Sequence, residues 1–120
     1  MKNIDQIIEK LTSDEKVTIL SGFNSWYTKK IDGKNVPSIK MSDGPNGVRG
    51  DSNSGKSSAC FPCAISIGST WDLDLVKNLG GALGEEAQAK DVDVLLGPTI
   101  NIHRHPLGGR HFESFSEDPF

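Results

Sequence analysis

The stretch DVDVLLGPTI (residues 91–100) predicts a strand, and the following NIHRHPLGGRHFES (residues 101–114) cannot continue in regular structure. The apolar run at Val94 to Leu96 is typical of a strand that is buried on both faces. Glycine and proline after this run favour a loop. Because charged and polar residues crowd a loop that directly follows a strand, we expect an active-site position like that at the carboxyl ends of barrel strands.

The elements upstream of this strand predict an α/β arrangement. Residues 39–42 can form a short strand, which ends in the loop that begins at Asp43. Residues 64–67 predict a second strand, and Asp72 can cap a helix after it. The apolar positions of this helix share one face: Val76, Leu79, Leu83 and Ala87. The order strand, loop, strand, helix, strand predicts that the helix-linked strands are parallel, with a right-handed crossover.

Two short helices are predicted at the N-terminus. The first carries an apolar stripe at helical spacing, formed by Ile4, Ile7, Ile8 and Leu11. Thr12 and Glu15 then have the spacing of a capping box, which begins a second helix. We expect this second helix to carry Val17 and Leu20 and to stop at Gly22. Residues 1–21 are therefore predicted to be a helical segment.

Composition narrows the class of protein. The chain has 120 residues, 35% of them hydrophobic, and a net charge of −3. These values fit one small domain without the basic patch of a nucleic-acid-binding protein. No apolar run reaches membrane-spanning length, and the charged start does not resemble a signal peptide, so we expect a cytoplasmic protein without a membrane partner. Residues 51–58 are rich in Ser, Gly, Asn and Lys, and we expect them to be mobile.

The chain has two cysteines, Cys60 and Cys63, in the spacing C-x-x-C. Such a pair can be redox-active or can form half of a zinc site. A redox motif of the thioredoxin type would open a helix, whereas the apolar residues after Cys63 look like a strand. We therefore expect two reduced cysteines that are packed as small hydrophobic side chains.

The polar loop allows a metal site or an anion site. His103, His105, His111 and Glu113 could be metal ligands. Pro106 and the Gly108–Gly109 pair interrupt the regular backbone that would align the two nearest rings, which favours solvated or hydrogen-bonded histidines. The same glycines with Arg110 could hold a phosphate, but no known phosphate-loop spacing is present, which favours a tight turn.

A sugar is the third possible ligand. Carboxylates accept hydrogen bonds from two hydroxyls, and guanidinium groups donate to two oxygens. Four residues could supply these groups: Asp43, Arg49, Arg104 and Arg110. The alternative is that they form salt bridges that brace the loops, and the residue types alone leave both interpretations open. For Glu117 and Asp118, the surrounding serines and Pro119 favour a structural turn.

Three motifs together carry a family resemblance. SDGPNGVRG (42–50), CFPCAISIGSTWD (60–72) and LLGPTINIHRHPLGGRHFESFSEDP (95–119) resemble the N-terminal region of glycoside hydrolase family 3, β-glucosidase type. The resemblance implies an α/β fold: the N-terminal part of a (β/α)8 TIM-type barrel, incomplete as given. It assigns residues 1–120 to that barrel domain, and residues 37–120 would hold the first strands, the helix and the sugar-binding loops. Since a complete barrel has about 250 residues, we expect a fragment that needs the rest of its own chain.

The resemblance also implies an activity and a set of binding residues. Enzymes of this type are retaining and exo-acting, and they release terminal β-D-glucosyl residues from β-glucosides or oligosaccharides. Asp43, Arg49 and Arg104 match positions that bind the sugar in the subsite of the cleaved residue. Arg110 and Glu113 match motif positions that we interpret as bracing the loop. Trp26 matches an aromatic position whose role the resemblance does not define.

The catalytic residues that the resemblance implies lie outside this sequence. The nucleophile, the acid/base and a sugar-binding Lys-His pair are all expected downstream of Phe120. We therefore assign no catalytic residue, metal or cofactor to these 120 residues, which alone should be inactive. The alternatives are a family member acting as a β-xylosidase, a non-catalytic module that binds sugar or a partner, and a small zinc protein.

Overall fold

The structure, a computed structural model, describes residues 4–50 and 56–119. These residues form two compact units, one that ends at Met41 and one that begins at Ser42. Within the stretch predicted to be mobile, residues 51–55 lie outside the described residues. Lys56 and Ser58 are hydrogen-bonded to other residues of the second unit.

The first unit begins with the two expected helices. Helix α1 spans Ile4–Lys10 and helix α2 spans Ser13–Leu20. The capping box between them is confirmed: the backbone N–H of Thr12 donates to Glu15 Oε2 at 2.7 Å, and that of Glu15 donates to Thr12 Oγ1 at 3.2 Å. These bonds satisfy amide groups that the first turn of a helix leaves without partners. Helix α2 ends two residues before the predicted stop.

The rest of the first unit consists of turns joined by isolated bridges. Residues 22 and 28, 27 and 40, and 31 and 36 form antiparallel bridges. The predicted turn at Asp32–Gly33 is confirmed, and Gly33 has the positive φ (+73°) that such turns often need. Trp26 is half-buried, and its carbonyl accepts a hydrogen bond from the Met41 N–H at 2.7 Å. Nothing in these contacts defines a further role for Trp26.

The second unit holds two α-helices and two strands, the first of which begins one residue before the unit, at Met41. Strand β1 spans Met41–Asp43, helix α3 spans Ala64–Gly68, helix α4 spans Leu73–Ala89 and strand β2 spans Val94–Leu96. A short 3₁₀ helix follows at His111–Glu113. β1 and β2 are hydrogen-bonded neighbours in one sheet. The strands expected near residues 39–42 and at 94–96 are thus confirmed within about two residues.

The strand predicted at residues 64–67 is wrong, because this segment is helix α3. Cys63 has an extended backbone, and its carbonyl then accepts the Ile67 N–H at 3.1 Å, a helical bond. Ala64 and Ile67, three residues apart, share the buried side. A short apolar run does not distinguish a strand from a buried helical turn. The predicted parallel pairing of residues 64–67 with β2 is therefore also wrong. The hydrogen-bonded neighbour of β2 is β1.

Helix α4 begins as predicted, since the Asp72 carboxylate accepts the Leu75 N–H at 2.9 Å. Its apolar face lines a cavity of about 310 Å³ on the side of Leu95. The expected burial of β2 on both faces is wrong, because Val94 and Leu96 are 42% and 48% exposed. β1 and α4 do not cover both faces of β2. Among the described residues, no helix combines the length and the apolar character needed to cross a membrane.

Candidate functional site

The two polar loops follow β1 and β2, as the sequence predicts, and they pack against each other. The first loop, residues 44–50, leaves the carboxyl end of β1, and the second leaves that of β2 at Gly97. A Cβ atom placed on Gly97 would lie 3.1 Å from Pro45 Cα and 3.4 Å from the Gly44 carbonyl oxygen. Glycine at this point therefore allows the backbones of the two loops to approach closely.

The first loop folds back on itself through two glycines with positive φ. Gly44 and Gly47 have φ values of +147° and +149°. A Cβ atom on Gly44 would lie 1.7 Å from the Gly47 carbonyl oxygen, and one on Gly47 would lie 2.0 Å from that of Ala59. Only glycine fits these positions. The reversal lets the Arg49 N–H donate to the carbonyl of Asp43 at 2.9 Å, which closes the loop.

Asp43 and Arg49 face each other at the end of β1. Arg49 Nη1 lies 4.0 Å from Asp43 Oδ2, and the two side chains are 65% and 50% exposed. An exposed ion pair of this length contributes at most about 1 kcal/mol. Both groups therefore keep hydrogen-bonding capacity for a ligand.

Arg110 and Glu113 form a much tighter pair. Arg110 Nε and Nη2 donate to the two carboxylate oxygens of Glu113 at 2.8 and 2.6 Å, and the Glu113 side chain is only 10% exposed. A parallel bridge between Thr99 and Ser114 ties the start of the second loop to the end of the 3₁₀ helix. These contacts confirm that Arg110 and Glu113 brace the loop.

The pKa values of Arg110 and Glu113 are both shifted, and the charge of Asp43 contributes to the shift of Arg110. The Arg110 hydrogen bonds lower the pKa of Glu113 against the opposing effect of burial, with a further contribution from Thr99. The same bonds raise the pKa of Arg110, and the negative charge of Asp43 adds to this effect. Asp43 is thus close enough to Arg110 for its charge to act on the guanidinium, while the hydrogen bonds of Arg110 go to Glu113.

Arg104 lies in the second loop and lines a cavity of about 310 Å³ together with Thr99, Asn101 and Arg110. It is exposed, and it makes no ion pair with any other residue in the ranges 4–50 and 56–119. The structure therefore brings Asp43 and Arg49 together and places Arg104 beside Arg110. No ion pair joins Arg104 to Asp43 in the described part of the chain.

The three histidines are held by the loop backbone. His103 Nε2 donates to the carbonyls of His111 and Ser114, at 2.7 and 3.0 Å. His111 Nε2 donates to the His105 carbonyl, and His105 Nδ1 accepts the Leu107 N–H. The expectation of hydrogen-bonded histidines is confirmed. Among the described residues, no three His, Cys, Asp or Glu side chains form a group that could hold a metal ion.

The remaining predictions for this region concern turns and cysteines. The Ser116 hydroxyl accepts the Asp118 N–H at 3.0 Å, which confirms the predicted turn. Cys60 is exposed and Cys63 is half-buried, and neither forms a disulfide. The expectation that both are packed is wrong for Cys60, because Cys60 precedes helix α3 on an exposed segment and only Cys63 adjoins the helix.

Two residues near the first loop were not singled out from the sequence. Glu86 and Lys90 form an ion pair of 2.9 Å, with side chains 15% and 5% exposed. Their spacing contains a signal that could have identified them. Glu86 and Lys90 lie three and seven residues after Leu83, so two charged residues continue the apolar stripe of α4. Charged residues that continue an apolar stripe indicate a specific polar partner.

Comparison with known proteins identifies the family of the chain. Residues 3–120 match the description "Glycosyl hydrolase family 3 N terminal domain". The chain belongs to this family. Among curated relatives, β-glucosidase B of Emericella nidulans is 52% identical over 118 residues, which are 98% of this chain and 14% of that protein. A β-glucosidase of Rhizobium radiobacter is also 52% identical over 118 residues, 97% of this chain and 14% of that protein.

Solved structures agree with the family. A crystal structure of β-glucosidase from Kluyveromyces marxianus in complex with glucose matches with a TM-score of 0.90 and 47% identity, covering 98% of this chain and 14% of that one. β-Glucosidase 3B from Thermotoga neapolitana, also with glucose, matches with a TM-score of 0.82 and 35% identity, covering 97% of this chain and 19% of that one. The family resemblance and the fold class, an incomplete part of a TIM-type barrel domain, are confirmed.

Proposed function

We propose that the protein to which this chain belongs is a retaining, exo-acting β-glucosidase that hydrolyses terminal β-D-glucosyl residues. The chain spans about 14% of the length of the curated relatives it matches, and those relatives are named β-glucosidases. In this proposal the chain supplies Asp43, Arg49 and Arg104 to the pocket for the terminal sugar, and the rest of the protein completes the barrel. The observation that carries it is the exposed Asp43–Arg49 pair at the end of β1.

The chemistry of this pair suits a sugar. The Asp43 carboxylate can accept hydrogen bonds from two hydroxyls, and the Arg49 guanidinium can donate to hydroxyl or ring oxygens. Their separation of 4.0 Å leaves both groups without a strong mutual hydrogen bond. Arg110, in contrast, already donates hydrogen bonds from Nε and Nη2 to Glu113. Its guanidinium therefore stabilises the loop beside the pocket.

The retaining mechanism needs two carboxyl groups across the scissile bond, one as nucleophile and one as acid and base. Glu113 is unsuited to either role, because both of its oxygens are bonded to Arg110 and its pKa is lowered. A general acid needs a raised pKa. Asp43 is assigned to binding, so in this proposal both catalytic carboxylates come from the rest of the protein. This chain then contributes hydrogen bonds to the sugar hydroxyls, and these bonds strengthen in the transition state.

The test uses the complete gene product that carries this sequence. We expect hydrolysis of 4-nitrophenyl β-D-glucoside, with a higher kcat/KM than for the matched β-D-xyloside and none for the α-D-glucoside. Proton NMR of the reaction should show β-D-glucose as the first product, because two displacements retain the configuration. A higher kcat/KM for the xyloside would show that the enzyme is a β-xylosidase and not a β-glucosidase. Glucose binding without hydrolysis would instead identify a sugar-binding module.

A further inference from the structure

A buried ion pair at the end of helix α4, formed by Glu86 and Lys90, is hydrogen-bonded to the backbone of the first loop. Lys90 Nζ donates to the Val48 carbonyl at 2.5 Å, to Ser58 Oγ at 2.6 Å and to Glu86 Oε1 at 2.9 Å. These three acceptors match the three donors of an ammonium group. Glu86 in turn accepts the N–H of Val48 at 3.1 Å and the N–H of Ala59 at 2.8 Å.

These bonds fix the backbone on both sides of Arg49. Val48 is fully buried, and both its N–H and its carbonyl are bonded to the pair. On the other side, the Gly50 N–H donates to Ser42 Oγ at 2.8 Å. A Cβ atom on Gly50 would lie 3.1 Å from Lys90 Cδ, so the lysine stem packs against Gly50. Arg49 is therefore an exposed side chain between two anchored neighbours.

A buried ion pair such as Glu86–Lys90 adds little to the stability of the fold. Moving an ammonium and a carboxylate out of water costs about as much as their attraction returns, and apolar replacements are often neutral. Burial raises the pKa of Glu86, yet the hydrogen bonds from Lys90 and from the Val48 and Ala59 amides lower it overall. The ionised carboxylate is thus favoured by the very bonds that hold the loop.

We propose that Glu86 and Lys90 are positioning residues that act through Arg49. Their ion pair holds the loop of residues 44–50 so that the Arg49 guanidinium faces Asp43 and the terminal sugar. Neither residue touches the sugar itself in this proposal. The inference rests on the proposed function, because it assigns the pair to the same binding pocket.

A double-mutant cycle in the complete gene product tests this inference. The pair is neutralised together as Glu86→Gln with Lys90→Met, because a single substitution would leave one buried charge without a partner. The variant is made in the wild-type background and in an Arg49→Met background. The assay is kcat and KM for 4-nitrophenyl β-D-glucoside, together with the melting temperature of each variant.

In the wild-type background we expect kcat/KM to fall about tenfold, which is within the range of coupling between neighbouring residues. In the Arg49→Met background the same change should cost less than about threefold, because the group being positioned is already absent. A purely structural role would lower kcat/KM by the same factor in both backgrounds. Equal losses, or no loss in the wild-type background, would overturn the inference.

The matched control is Glu85→Gln with Lys77→Met, which changes the same charges at exposed positions of the same helix. It should leave kcat/KM within about twofold of wild type, as surface changes usually do.

If the buried variant does not fold, Ser58→Ala takes its place in the cycle, since it removes one acceptor of Lys90 and one bond to the Val48 carbonyl. An inactive wild-type enzyme overturns the proposed function as well, whereas active enzyme with equal losses overturns the inference alone.

Discussion

Replacing Asp43 should remove most of the binding energy that this chain gives to the transition state. A hydrogen bond to a charged group contributes about 1.5–3 kcal/mol. The Asp43 side chain is half exposed, and its side-chain partner Arg49 is 4.0 Å away, so both oxygens can accept sugar hydroxyls. Two such bonds amount to about 3–6 kcal/mol, which lowers kcat/KM by about 10²- to 10⁴-fold in Asp43→Ala. Asp43→Asn keeps one acceptor oxygen and should lose about half of that free energy.

The assay is kcat/KM of the complete protein with 4-nitrophenyl β-D-glucoside, and each variant is also melted. The melting temperature should stay close to that of wild type, because the exposed Asp43–Arg49 pair contributes at most about 1 kcal/mol. Asp74→Asn, at an exposed position in the first turn of α4, is the matched control and should remain fully active. Near-normal kcat/KM in Asp43→Ala would refute the binding role. So would a loss of activity that follows a loss of folded protein.

Three further predictions concern the loops. Arg104→Met should lower kcat/KM about 10- to 100-fold without lowering the melting temperature, because Arg104 pairs with no other described residue; a drop in melting temperature alone would point to a structural role. The pKa of Glu113 lies below its ordinary value of 4.5 in the fold, so its stabilising effect is complete above that pH and is lost as the pH falls below it. Melting curves between pH 3 and 7 should therefore fall less steeply with acid in Glu113→Gln than in wild type. Gly47→Ala should prevent folding or lower the melting temperature strongly, because its Cβ would lie 2.0 Å from a backbone carbonyl oxygen. Gly33→Ala meets no neighbouring atom and should fold, with only the loss of about 1–2 kcal/mol that its positive φ (+73°) imposes on a residue with a side chain.

Local signals predicted the structure well where neighbours in the sequence are also the physical partners. The capping box at Thr12, the cap at Asp72 and the turn at Gly33 all depend on bonds or backbone preferences within about four residues. The Arg110–Glu113 pair is also local, three residues apart, but bracing was expected at these two positions from the family motif and not from their spacing. Such features can be read from the sequence because the chain itself brings the two groups together.

Predictions failed where the answer depends on distant residues. The segment of Ala64 to Ile67 was interpreted as a strand, because its apolar run suits a buried strand and a buried helical turn equally. The exposure of Val94 and Leu96 depends on how much of the barrel surrounds β2, which a local pattern cannot show. Cys60 is exposed for a similar reason, since burial is a property of the surrounding packing.

The three sequence motifs were enough to identify the family and to place both polar loops after their strands. They also determined which residues, Asp43, Arg49 and Arg104, are the candidates for sugar binding. The folded chain was needed to show that Arg49 faces Asp43, and that Glu86 and Lys90 bond to the loop from about forty residues further along the chain. The strength of a hydrogen bond or an ion pair depends on distance and burial, and for residues far apart in the chain both are set by folding.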